Sequence, residues 1–246
     1  MTDATAANGR EATPGFFSIL GNLYIAPSEA FAAILKRPTV LVPLLLVMAM
    51  NAAFTAVWLQ KVDGEAFMKA RFAENPRAAS MPADARAQAI ETQAKTLPYY
   101  IGIGPVFLAI IAVVMASGLM FIFRFFFAGD VTFRQSMSMV TWVFVATSLV
   151  TLPLMYLTLV LKDDWTLQPQ EVLQANPSLF VEKGQVAAPL FSLLGSLDLF
   201  SFWTIALLAI GFGLAARKPF GSAVWGVAMP WLLYVLCKAG LAAMFG

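Results

Sequence analysis

The sequence predicts an all-α fold: a polytopic membrane protein with five transmembrane helices, N-terminal interfacial helices and an external helical loop. Three observations predict it. Hydrophobic residues make up 60% of the 246 positions and charged residues 12%, with a mean hydropathy of +0.76. That is more apolar surface than a soluble chain of this length could bury. Five apolar runs approach or exceed the ~20 residues that cross the hydrocarbon of a bilayer. Most of the charged residues fall in the N-terminal segment, the turns and two long loops. Lipid offers no hydrogen bonds, so each run must satisfy its own backbone as a helix.

Taken in order, residues 1–14 are small and polar and are expected to be disordered. A secretory signal is not expected, because Arg10 is followed by Glu11 and the next apolar stretch is broken by Ser18, Gly21 and Asn22. Residues 15–38 read as interfacial amphipathic helices. Phe16, Ile19, Leu20 and Leu23 share one face of the first. Pro27 opens the second, Glu29 complements its first turn, Lys36 and Arg37 its last, and Pro38 stops it. Its apolar stripe is Phe31, Ile34 and Leu35.

Residues 39–246 form the five-helix transmembrane domain, with spans expected at Thr39–Trp58, Ile101–Phe123, Ser138–Leu161, Ala188–Ala215 and Ser222–Phe245. Pro43, Pro105, Pro153 and Pro230 lie within four of them and Pro189 opens the other, which predicts kinked packing. The external loop 61–97 reads as two amphipathic helices: Gly64 to Glu74, with Phe67, Met68 and Phe72 near helical spacing, and Pro82 to Lys95. Asn75-Pro76 separates them. The later loop holds Asp163, Asp164, Glu171 and Glu182 without a cation-coordinating pattern.

Composition closes off several functions. One cysteine, Cys237, and no histidine exclude an intramolecular disulfide, a metal site built on His or Cys, and a His general base. No cofactor motif and no catalytic set are present, and a formal charge of +2 with scattered basic residues gives no nucleic-acid surface.

The last two spans form a hairpin about a basic turn, Arg217-Lys218, and each carries one ionisable residue, Asp198 and Lys238. Both stand roughly 25 Å from that turn at ~1.5 Å per residue. Three readings of this intramembrane polar pair stay open. The charges neutralise each other directly. Alternatively they act separately, with Lys238 snorkelling to the headgroups and Asp198 accepting hydrogen bonds from Ser or Trp. In the third they serve transport or a proton relay.

Lys36, Arg37, Arg124 and Arg134 lie beside short turns and read as positive-inside anchors and contacts for anionic lipid headgroups. Their density places the N-terminus in the cytoplasm and the C-terminus outside.

Four stretches, in this order, resemble the Yip-domain family of integral membrane proteins that interact with Ypt/Rab GTPases. They are Ala26-Pro27-Ser28-Glu29-Ala30-Phe31 with Pro38 and Pro43, then Ala128-Gly129-Asp130-Val131-Thr132-Phe133-Arg134-Gln135. Leu197-Asp198-Leu199-Phe200-Ser201-Phe202-Trp203 and Gly211-Phe212-Gly213 follow. The likeness runs from Leu20 onward, and the long loop between spans one and two looks like the bacterial branch. The resemblance implies five helices, a cytoplasmic N-terminus and no enzymatic activity; eukaryotic relatives act in Golgi traffic, organelle shape and GTPase recruitment. The short arm of residues 1–38 is a poor match to GTPase recruitment. The expectation is therefore a non-catalytic scaffold or organiser in a bacterial inner membrane. Its partners would be the bilayer, anionic lipids, and a membrane protein or second copy. A small-solute, ion or lipid transporter using Asp198/Lys238 is the alternative.

Overall fold

The computed structural model describes residues 15–73, 75, 78, 80–167, 172–173, 175–181 and 184–245. Residues 1–14, expected to be disordered, lie outside them. Ten helices are described: α1 Phe16–Ile25, α2 Pro27–Lys36, α3 Leu41–Leu59, α4 Gly64–Ala73, α5 Ala83–Thr96, α6 Tyr100–Phe125, α7 Phe133–Lys162, α8 Ala188–Ser196, α9 Leu199–Ala216 and α10 Phe220–Phe245. The chain is an all-α, multi-pass integral membrane protein. Helices α3, α6, α7, α9 and α10 are long and apolar enough to cross a bilayer.

Two expectations need correction. The second loop helix does not end before span two: α5 passes through a 3-10 turn, Leu97–Tyr99, directly into α6, giving one helical stretch Ala83–Phe125. Pro98 sits in the first turn of that 3-10 segment, where its missing N–H costs little. The expected fourth span, Ala188–Ala215, is not continuous. It breaks at Leu197-Asp198 into α8 and α9.

Sequence chemistry explains the other boundaries. Helix α7 begins at Phe133, five residues before the expected span, because Thr132 and Gln135 form a reciprocal capping box. Asp163 and Arg217 close α7 and α9 with left-handed φ values of 49° and 54°. The Lys218 N–H then returns to the Gly213 carbonyl at 2.8 Å.

Helix α9 is central, with 44% of its apolar window buried against 17–22% for the other spans. It packs on α2, α7, α10 and α6, while α3, α6 and α7 pack on one another. Two apolar clusters result. One, at the end carrying the Arg217-Lys218 turn (the basic end), includes Leu23, Phe31, Phe123, Met139, Trp142 and Phe212. The other, at the loop end, includes Trp58, Phe67, Met68, Ile90, Leu97 and Leu159, so α4 and α5 cap the ends of α3 and α7.

The N-terminal helices spend their apolar stripes on protein. Phe31 and Ile34 of α2 are buried, and Leu35 packs against them. Phe16, Ile19, Leu20 and Leu23 of α1 face the same core. A Cβ on Gly211 would stand 2.8 Å from the Phe31 ring, so glycine at that position is what lets α2 approach α9. At the α6–α7 turn, a Cβ on Gly129 would stand 2.6 Å from the Ala216 Cβ.

Candidate functional site: a broken helix beside Lys238

Helix α8 ends at Ser196, and the Leu197 backbone (φ −85°, ψ 58°) leaves the helical region. Asp198, extended at φ −97° and ψ 151°, starts α9 as its N-cap. Its Oδ1 accepts the N–H groups of Phe200 and Ser201 at 2.9 and 3.0 Å, and Oδ2 accepts the Ser201 hydroxyl. The loop before α8 closes over the break, where the Leu199 N–H donates to the Ala175 carbonyl at 3.1 Å. The 3-10 segment Pro177–Phe180 packs on α8.

Lys238 approaches from α10. Its Nζ donates to Ser196 Oγ at 3.3 Å, and Ser196 Oγ donates to the Ser192 carbonyl at 2.8 Å. Asp198 and Lys238 thus come to the two sides of one break, but no ion pair of 4 Å or less joins them; among the described residues the side-chain ion pairs are the exposed Lys69–Glu65 and Lys95–Glu91.

The break supplies its own electrostatics. A helix N-terminus carries roughly half a positive charge and a C-terminus roughly half a negative one. Asp198 sits at the first of these on α9, and Lys238 sits beside the second on α8. Each ionisable side chain is compensated in part by one of the helix ends that the interruption creates. Depth helps as well. The 18 residues of α9 put Asp198 roughly 27 Å from the Arg217 turn, near the far edge of a ~30 Å hydrocarbon layer rather than its middle.

The basic end is organised differently. Along one face of α7, Arg134 Nε donates to the Pro38 carbonyl at 3.1 Å and Ser138 Oγ to the Thr39 carbonyl at 2.9 Å. Trp142 Nε1 continues that face with a bond to Thr39 Oγ1 at 3.1 Å. These residues recur every four positions and clamp the α2–α3 corner. Sequence reasoning missed them, although Arg-x3-Ser-x3-Trp at the start of an apolar helix is a polar stripe of helical period. Arg124 is exposed in the last turn of α6, beside the stacked rings of Phe121 and Phe125 at 5.4 Å. Lys36 and Arg37 are exposed at the end of α2.

Among the described residues no group of three or more His, Cys, Asp or Glu side chains could hold a metal ion. Asp164 instead forms a local turn, its Oδ1 accepting the Thr166 N–H at 2.9 Å and the hydroxyl at 2.6 Å. Those bonds, the hydroxyl first, hold its carboxyl below the usual range. Glu171 and Glu182 lie outside the described residues.

The four stretches that carry the resemblance therefore have defined places. Phe31 sits on Gly211, Gly129 abuts Ala216, and Asp198 caps α9. The family model for the Yip1 domain matches residues 21–241. The chain belongs to the Yip1 family. Comparison with curated proteins and with solved structures gave no match. In this Yip1 domain three of the four stretches pack at the basic end, and the fourth forms the break.

Proposed function

We propose that this Yip1 domain is a non-catalytic membrane organiser, which holds a short apolar helix rigidly against the bilayer to deform it or to recruit a membrane-protein partner or second copy. The observation that carries the reading is the mounting of α1. One face packs into the basic-end core, and Tyr24 Oη donates to the Ala146 carbonyl at 2.7 Å. The opposite face leaves Phe17 and Ile25 each 83% exposed. Such a helix presents a fixed wedge to one leaflet. Exposed Arg124, Arg134, Lys36 and Arg37 at the basic end would meet anionic headgroups. On this reading the chain lies in a bacterial inner membrane with its N-terminus in the cytoplasm.

The transporter alternative has less behind it. The Asp198 carboxylate already accepts three hydrogen bonds from its own helix, which disfavours it as a relay. Reconstitution into liposomes tests the proposal. The full chain should tubulate or vesiculate them, and a Phe17→Glu plus Ile25→Glu variant that still folds should not. Solute or lipid flux lost in Asp198→Asn, without membrane deformation by wild type, would overturn the organiser reading. In a Cys237→Ser background, Arg10→Cys and Gly246→Cys should label from opposite sides.

A further inference from the structure

We propose that Lys238, on the turn of α10 facing the end of α8, binds the phosphate of a membrane phospholipid in the leaflet opposite the Arg217-Lys218 turn. An ammonium group has three N–H donors. Ser196 Oγ at 3.3 Å takes one, and among the described residues no carboxylate stands within 4 Å. The partial negative charge at the end of α8 offsets only part of the cation. An exposed lysine in this position holds unspent donors and calls for an anion.

Depth and surroundings name the anion. Lys238 stands roughly 27 Å along α10 from Phe220, about one hydrocarbon thickness, so its head reaches the plane of lipid phosphates. Tyr234 and Leu241, one turn before and one after, are exposed with it, as is Leu199 at the start of α9. These apolar surfaces suit acyl chains and the glycerol region below a headgroup, and a protein partner would have to bring a carboxylate to the same depth.

The site concerns one lipid at the loop end, so it stands or falls separately from the organiser reading, which depends on α1. Native mass spectrometry of the full chain, equilibrated with phosphatidylglycerol, phosphatidylcholine or a phosphate-free glucosyl diacylglycerol of the same chains, tests it. Wild type should retain either phospholipid above the glycolipid. Lys238→Gln should lower phospholipid retention about tenfold, as expected for losing a charge-assisted bond, and Lys238→Arg should preserve it. Equal retention by Lys238→Gln, or of the glycolipid by wild type, overturns the proposal. Displacement of the lipid by millimolar inorganic phosphate would also overturn it, in favour of a free-anion site. A measurement on wild type alone guards against a variant that misfolds. A phospholipid with a headgroup diazirine should crosslink to residues 231–241, and adducts confined to the basic end would refute the site.

Discussion

Phe31 and Phe123 at the basic end close on bare glycine backbone, at Gly211 and Gly226 respectively, whereas Asp198 and Lys238 at the other end sit against two helix termini. The first arrangement is steric. Rings fill the space a Cβ would need, and Phe123 stacks further on Phe127 and Phe212 at 5.1 and 4.9 Å. The second is electrostatic, with charge held by backbone dipoles. Packing of the first kind tolerates almost no change of volume. Capping of the second kind tolerates any side chain that offers the same acceptor. The basic end should therefore be the rigid part of the molecule and the break the adjustable part.

The sharpest way to break that contrast is Phe31→Ala. It empties a fully buried ring site and should cost about 3–5 kcal/mol, read as lost thermal stability in detergent. Phe67→Ala in the loop-end cluster should cost somewhat less, because Phe67 is buried to 8% exposure where Phe31 is wholly enclosed. Equal losses would mean the two clusters are equally rigid. Next is Gly129→Ala, whose added methyl meets Ala216 Cβ at 2.6 Å and Cα at 3.1 Å. Backbone cannot move aside as a side chain can, so about 1–3 kcal/mol should be lost.

At the break, Asp198→Ala removes the cap of α9 and should cost about 0.5–2 kcal/mol, while Asp198→Asn retains an acceptor and should stay near wild type. A direct ion pair would predict the reverse: Asn as damaging as Ala, and rescue by the Asp198→Lys plus Lys238→Asp exchange. Smaller again, Arg134→Ala removes one exposed bond to Pro38 and should cost about 0.5–1.5 kcal/mol. Faster amide exchange in α2 should accompany it.

The smallest effect is one of pH, at the Asp164 turn. Its folded pKa lies below the unfolded value of about 3.9. The stabilisation is therefore complete above that value and fades as pH falls through the depressed one. Exchange at the Thr166 amide should quicken only below about pH 4.

Much of this was legible in the chain. Apolar run lengths set the membrane class and the number of spans, because lipid leaves a helix no alternative. The Pro27–Pro38 helix and its stripe could be read from end signals and periodicity. The interruption at Leu197-Asp198 could not be read from hydropathy, since leucines and phenylalanines surround it without a proline or a run of polar residues. Asp198 accepting hydrogen bonds from Ser or Trp was one of the readings the sequence left open, but so apolar a run does not show that this acceptor starts a new helix. The Arg134, Ser138 and Trp142 clamp was hidden for another reason: its acceptors, Pro38 and Thr39, lie about a hundred residues earlier.

What the sequence by itself determined is where helices form and that they belong in lipid, because those follow from transfer energies and backbone satisfaction along a local window. Only the tertiary structure decided what each helix faces. The stripe of α2 met a glycine on α9 in place of lipid, and two opposite charges met helix ends in place of each other. Both outcomes depend on distances between segments far apart in the chain, which no local pattern encodes.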